Sequence, residues 1–489
     1  MTALARSILP VLNVLGVVIV IFAGTMLVPL AFAFFGEDAA LHAYDNALIV
    51  TLVSGSGLYL ATRRYKRELL PRDGFLLVTL AWSVLPLFAT LPLLFHLREL
   101  SFTHAYFEAM SGLTTTGSTV LSGLDDLPLS INVWRHLLQW IGGMGILVLA
   151  VAILPLLGVG GAQVFKAESA GPLKEAKLTP RIADTAKALY LIYFALSVAC
   201  FLAFRWAGMS WSDALMHMFS TMSLGGFSSR DASFGYWNSS TIEYTAVLFM
   251  VLAGFNFSLH FVAWRRRTLR VYLADTEAKA YALALLVACL VVAAVLMLHE
   301  VYPDWSTALR YAAFNVVSVA TTTGYASTDY GQWPTFAPVL MLFLCGFTSS
   351  AGSTGGGIKM IRSVILMKQA LREFTRILHP RVINPVHVDG RVIENNVVFA
   401  VLAFMLVYGA SITGCTMLLL LSGLDVISAF SAVVASINNL GPGLNQVGPA
   451  TNFGSLMDFE LWVCTFAMLI GRLELFAVLV LFTPAFWRK

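Results

Sequence analysis

Apolar runs long enough to cross a bilayer recur along the whole chain, at residues 8–35, 190–206, 280–298, 397–421 and 461–482. A helix needs about 20 predominantly apolar residues to traverse the hydrocarbon core. Hydrophobic residues make up 58% of the chain and charged residues only 12%, where a soluble domain carries about 25% charged residues. A chain of this kind has too little polar surface to cover itself, so lipid must be its solvent. The first run is too long for a signal-peptide core and lacks a small-residue cleavage site, so it is read as a retained span.

The basic residues are segregated. Most of the 31 lysines and arginines fall at Arg6, 63–72, 166–187, 265–279, 359–391 and 488–489, between the apolar runs. The positive-inside rule makes these stretches cytoplasmic, with both termini on that side. Cys200, Cys289, Cys345, Cys415 and Cys464 stand singly in or beside apolar runs. That spacing argues against disulfides and zinc and reads as buried apolar packing.

Between basic stretches lies a recurring unit of roughly 100 residues, long enough for two spans. Each unit has an apolar span, a shorter half-polar segment, a Gly/Ser/Thr-rich stretch and a second span. The paired spans are 75–95 and 134–157, 186–206 and 245–264, 280–298 and 337–367, and 397–421 and 461–482. The middle segments are too short and polar to cross, so each enters from outside and returns. Irregular backbone at membrane depth survives only buried in protein or lining water, so four such loops belong around one axis. The expected fold is an all-α polytopic membrane protein with four pseudo-symmetric span–pore helix–span repeats around a central pore. A two-helix hairpin, residues 1–72, precedes repeats at 73–182, 183–276, 277–393 and 394–489, giving ten crossing spans and four re-entrant helices.

The loops align by sequence. In the first, Phe107 stands ten residues and Ser111 six residues before Gly117, within Thr114-Thr115-Thr116-Gly117-Ser118. The third repeats this with Phe314, Ser318 and Thr321-Thr322-Thr323-Gly324-Tyr325. The second reads Ser223-Leu224-Gly225-Gly226-Phe227, with Ser220 six residues before Gly226. The fourth, Asn438-Asn439-Leu440-Gly441-Pro442-Gly443, diverges most. A filter that strips water from a monovalent cation presents rings of backbone carbonyls. Turning successive carbonyls inward demands backbone angles that glycine adopts without Cβ strain. No Asp or Glu, the mark of divalent-selective pores, stands at the glycine positions.

These four motifs resemble those of the TrkH/TrkG/KtrB superfamily of microbial K⁺ uptake proteins, and the likeness covers nearly the full chain. The N-terminal hairpin is more similar to TrkH or TrkG than to the shorter KtrB. The resemblance implies K⁺ as the transported ion, at carbonyls of Thr115, Thr116, Leu224, Gly225, Thr322, Thr323, Asn439 and Leu440. Gly117, Gly226, Gly324 and Gly441 would be the filter glycines. Plant relatives favouring Na⁺ carry Ser for the first glycine, so Gly117 implies K⁺. The resemblance also implies a TrkA-like cytoplasmic nucleotide-binding regulatory subunit, a homodimer, and a bacterial cytoplasmic membrane location.

The second spans each carry glycine midway, at Gly142, Gly254, Gly346 and Gly471. After Gly346 the third runs through Ser350, Gly352, Ser353, Gly355, Gly356 and Gly357 to Lys359. Interior glycine costs a helix about 1 kcal/mol each, so this stretch is expected to be an intramembrane loop below the filter. A break in this repeat alone would make an asymmetric plug, and the resemblance implies a gating loop here. Arg472 lies inside an apolar span and is functional by default. As in the family, it is expected to face the pore under the loop, with a structural ion pair as the alternative.

His104, His136, His217 and His260 show no relay spacing, so a K⁺/H⁺ symporter with alternating access remains an alternative without a residue to carry it. No nucleophile–base set, metal cluster or Walker spacing marks an enzyme, and nothing points to nucleic acid. The basic segments 166–187 and 368–391 are the candidate docking surfaces for a regulator.

Overall fold

The computed structural model describes residues 3–67, 69–148 and 182–488. Within them the chain is helical almost throughout. Its strands are one short antiparallel pair, His387–Val388 with Arg391–Val392. The inner end of the first repeat's second span, 149–157, and residues 166–181 of one docking segment lie outside the described residues.

Among the described residues, five helices are long and apolar enough to cross a membrane by length and composition: Ile8–Phe35, Arg72–His96, Ala186–Trp206, Thr276–Leu298 and Asn395–Leu421. Their apolar residues divide between protein and lipid. On Thr276–Leu298, Tyr281, Leu285, Val292 and Leu296 are buried while Leu283, Leu286, Val287 and Leu290 face outward. An exposed leucine face on a helix this apolar needs lipid for its solvent. Leu129–Val148 is less apolar because it carries Asn132, Arg135, His136 and Gln139, all buried against the interior.

Four shorter helices are re-entrant: Phe102–Leu113, Trp211–Ser223, Trp305–Ala320 and Val426–Ile437. Their 12, 13, 16 and 12 residues reach only about 18–24 Å at the helical rise. Each starts at a side-chain cap. Ser101, Ser210, Asp304 and Asp425 accept the N–H of His104, Asp213, Thr307 and Ser428 respectively. Such caps satisfy amides that the first turn leaves orphaned.

Packing closes these helices into a ring. Each re-entrant helix contacts the second span of the preceding repeat. Trp211–Ser223 packs on Leu129–Val148, Trp305–Ala320 on Ser240–Gly254, Val426–Ile437 on Phe336–Phe347, and Phe102–Leu113 on Asp458–Arg472. The last pair joins repeat one to repeat four. Glycines allow the closest approaches. A Cβ on Gly142 would overlap the Leu113 carbonyl, and one on Gly471 the Ile437 carbonyl. These are equivalent points, four residues before Gly117 in repeat one and Gly441 in repeat four.

The expectation of one broken span is corrected by the structure. The second span of repeat two bends by 94° between Ser240–Gly254 and Phe257–Arg266, and that of repeat four by 106° after Asp458–Arg472. The first break is stabilised because the third repeat's loop takes up its backbone groups. Phe257 donates to the Gly352 carbonyl, Ser350 donates to that of Gly254, and Asn256 caps the new helix through Ser258. The other break turns on Glu474 and Leu475, both at positive φ, with the Leu475 N–H closing on the Ile470 carbonyl at 2.8 Å.

Gly471→Ala is expected to lower stability by roughly 1–3 kcal/mol, the usual effect of overpacking. Gly409→Ala, on an outward helix face with nothing near its Cβ position, should be neutral or mildly stabilising. Thermal unfolding of both variants in detergent checks the contrast.

Candidate functional site

All four re-entrant helices end in the same turn. Thr115, Leu224, Thr322 and Asn439 adopt positive φ of 54°, 53°, 63° and 52°. The next residue in each repeat, Thr116, Gly225, Thr323 or Leu440, donates its N–H back to Ser111, Ser220, Ser318 or Ala435 at 2.8 Å. A left-handed residue with a six-to-one hydrogen bond is a Schellman ending. Non-glycine residues, above all β-branched threonine, rarely sit there. The next residue is the glycine that the sequence reading expects in a filter, again at positive φ: Gly117 at 85°, Gly226 at 76°, Gly324 at 90° and Gly441 at 106°. The fourth loop, most divergent in sequence, keeps the register Asn439-Leu440-Gly441.

The four strands meet in a cycle. A Cβ on Gly117 would lie against the Gly225 carbonyl oxygen, on Gly226 against that of Thr323, on Gly324 against that of Leu440, and on Gly441 against that of Thr116. The first three approaches are under 3.0 Å and the last is 3.1 Å. Carbonyls of equivalent residues therefore stand at the level of the neighbouring glycines around one closed ring. The negative ends of four helix dipoles converge beneath that ring, which favours a cation there.

Side chains brace the ring. Thr114 and Thr116 share a 2.8 Å hydroxyl hydrogen bond, as do Thr321 and Thr323. The Asn439 amide donates to Thr116 Oγ1 and to the Met468 carbonyl, and Ser118 donates to the Gly441 carbonyl. Nine residues before three of the glycines, a polar side chain secures the strand leaving the ring. Glu108 accepts from Thr119 and Val120, His217 contacts Ser228 Oγ, and Asn315 bonds Ser327. Glu108 is itself paired with Arg135 at 2.8 Å, both nearly fully buried. His136 and His217 lie 5.8 Å apart, ring centre to ring centre, although their sequence spacing suggested no relation.

The glycine-rich run after Phe336–Phe347 is a loop, and helix resumes at Met360–Leu378. It sits beneath the ring. The Gly356 N–H donates to Thr322 Oγ1, Thr354 Oγ1 donates to the Met222 carbonyl, and a Cβ on Gly356 would overlap the Asn438 carbonyl. The loop is folded on itself. Ser353 bonds back to the Ser350 carbonyl, Lys359 Nζ donates to the Gly355 carbonyl, and Ile358 donates to the Gly346 carbonyl at 2.7 Å. Gly352 and Gly357 take positive φ of 70° and 79°. Arg472 ends its helix against this loop, donating to the Thr354 carbonyl at 3.0 Å and to the Gly142 carbonyl at 3.3 Å. Among the described residues it has no carboxylate partner, so its charge is held by backbone dipoles of two other repeats.

Sequence reasoning missed several residues here. Glu277 accepts the N–H of Ala351 and of Ile361 on one carboxylate oxygen, pinning both ends of the loop. Arg362 reaches Glu474 at 2.8 Å and stacks on Phe404. Gln139 touches the second of the four strands. Their available signal was polarity within or beside apolar segments, which the sequence reading applied only to Arg472.

The fold and the ring of four glycine turns define a class, that of four-repeat membrane proteins with re-entrant turns meeting on the axis. Residues 41–489 match the family of TrkH cation transport proteins. The Trk system potassium uptake protein TrkH of Salmonella typhimurium is 45% identical over 478 residues, covering 98% of this chain and 99% of its own. The Trk system potassium uptake protein TrkG of Escherichia coli K12 is 36% identical over 480 residues, covering 98% of each. The crystal structure of the potassium transporter TrkH from Vibrio parahaemolyticus superposes with a TM-score of 0.90 at 43% identity, over 99% of both chains. This chain belongs to the TrkH family.

Arg135→Met is expected to destabilise the protein by about 3–5 kcal/mol, because it strands the Glu108 charge in the interior. Glu108→Gln combined with Arg135→Met should recover much of that loss. Thermal unfolding of the single and double variants tests it.

Proposed function

We propose that this chain is the K⁺-translocating subunit of a Trk-type uptake system, a gated pore across the cytoplasmic membrane. The observation that carries this reading is the cyclic register of four glycine turns, each placing a carbonyl against the neighbouring repeat's glycine. The backbone oxygens of Thr115, Thr116, Leu224, Gly225, Thr322, Thr323, Asn439 and Leu440 would replace the water around one dehydrated K⁺. Uncharged carbonyls suit a monovalent ion, because they compensate lost hydration without binding too tightly for release.

The loop from Gly346 to Gly357 is the gate in this reading. It bonds to the inner ends of the filter strands, and Arg472 adds a positive charge that opposes a cation passing inward. Opening moves Gly355 and Gly356 away from Thr322 and Asn438. The basic face around 368–391 would receive a nucleotide-binding regulatory subunit resembling TrkA, and two copies of this chain would assemble side by side. The termini and the basic segments face the cytoplasm under the positive-inside rule.

Cation flux into liposomes holding the purified protein tests the reading. K⁺ and Rb⁺ should pass in preference to Na⁺ without a pH gradient. Gly117→Ser, which sets a side chain against the Gly225 carbonyl, should lower the K⁺/Na⁺ flux ratio by about tenfold, equal to about 1.4 kcal/mol of discrimination. Arg472→Ala should raise K⁺ flux several-fold while leaving that ratio near its wild-type value. Equal passage of all three cations, indifferent to Gly117, would remove the filter reading, and flux that required a pH gradient would favour the symporter.

A further inference from the structure

We infer that Gln139, on the second span of repeat one, is a positioning residue for the filter strand of repeat two and thereby sets cation selectivity. This inference rests on the filter reading proposed above. The second strand differs from its neighbours in having no side chain with which to brace itself. Strands one and three are held by the Thr114–Thr116 and Thr321–Thr323 hydroxyl pairs, and strand four by the Asn439 amide. At the corresponding places strand two has Ser223 and Gly225. The Ser223 hydroxyl is turned back to the Phe219 carbonyl at 2.8 Å and to that of Ser220. Gly225 has nothing to offer, and two successive glycines, Gly225 and Gly226, have the greatest backbone freedom of any pair.

The missing brace comes from the neighbouring repeat. Gln139 is fully buried. Its Nε2 donates to the Gly225 carbonyl at 2.6 Å, and its Oε1 accepts the Phe227 N–H at 3.1 Å. One planar amide thus grips the strand on both sides of Gly226, and only this orientation of the amide satisfies both contacts. The fit is reciprocal. A Cβ on Gly225 would come within 3 Å of the Gln139 Cδ, Oε1 and Nε2 atoms, so the absent side chain at 225 is the space the amide fills. The anchor is rigid as well, because Gly142 on the same helix packs directly on the Leu113 carbonyl. The gripped carbonyl is also the one facing Gly117 in the cycle. Gln139 therefore fixes how far that oxygen reaches toward the axis, the quantity on which discrimination between K⁺ and the smaller Na⁺ depends.

Gln139→Met keeps the shape and removes both hydrogen bonds, and Gln139→Glu keeps the acceptor but sets a carboxylate against the Gly225 carbonyl. Both are compared in liposomes with wild type and Gly117→Ser. Gln139→Met should still pass Rb⁺ with a K⁺/Na⁺ flux ratio roughly three- to tenfold lower, the size expected from losing neutral hydrogen bonds. Gln139→Glu should lower the ratio further. A purely structural role would lower the melting temperature and leave the ratio unchanged, which would overturn the inference. If both Gln139 variants keep wild-type selectivity while Gly117→Ser loses it, the clamp is wrong and the filter stands. If Gly117→Ser keeps it too, the filter reading itself fails. Should Gln139→Met not assemble, the rise in melting temperature on adding K⁺ rather than Na⁺ decides on Gln139→Glu. The inference expects that K⁺-specific rise to shrink, and an unchanged rise contradicts it.

Discussion

The rest of the molecule depends on one backbone arrangement, the turn that ends each re-entrant helix. A left-handed residue followed by a six-to-one hydrogen bond stops the helix, and a left-handed glycine two residues on carries the chain outward beside its neighbour. Four copies can close into a ring only if no side chain stands between strands, which is why Gly117, Gly226 and Gly324 meet neighbouring carbonyls at distances no Cβ tolerates. The strained threonines at 115 and 322 persist because the surrounding structure over-determines them. Capped N-termini, hydroxyl pairs and the buried Arg135–Glu108 pair all support this ring from outside.

Below the ring, symmetry gives way to function. The third repeat's second span is interrupted by the loop, and the breaks in repeats two and four lie against it. Gly254 and Phe257 exchange backbone hydrogen bonds with Ser350 and Gly352, while Arg472 donates to Thr354. Broken helices in a membrane leave backbone groups that must find partners, and here the loop and the break of repeat two satisfy one another while the break of repeat four closes on its own turn. Glu277 ties both ends of the loop to the first span of its own repeat. Arg362, two residues into the helix that continues to the basic segment 368–391, pairs with Glu474 at the bend of repeat four. A pull on that helix thus acts on the loop and on the segment carrying Arg472 through direct contacts.

The architecture was legible because hydropathy and charge alternate in register with the repeats, and the glycine turns because Thr-Thr-Thr-Gly occurs twice. The divergent fourth loop obeys the same geometry through its backbone. Ala435 serves as well as serine because only its carbonyl is used. The left-handed position of Leu224 carries no residue type that announces it, whereas asparagine, as at Asn439, is enriched in that conformation. The breaks in repeats two and four were hidden for a related reason. Phe255-Asn256 and Leu473-Glu474-Leu475 contain neither proline nor a glycine run, and the partners they meet include Ser350 and Gly352 for the first and Arg362 for the second, about 100 residues away and beyond any local window. Gln139 and Glu277 were missed because one amide or carboxylate near a span reads as a surface residue until the fold turns it inward.

In the proposed reading the four glycine turns surround one axial site for a dehydrated monovalent cation. Locating Rb⁺ or Tl⁺ by anomalous scattering, in crystals of the wild-type protein, tests it most directly. The account predicts density on the axis, ringed by the carbonyl oxygens of Thr116, Gly225, Thr323 and Leu440, and removed when Na⁺ replaces the heavier ion. Density confined to sites off the axis, or none between the four strands, would contradict it.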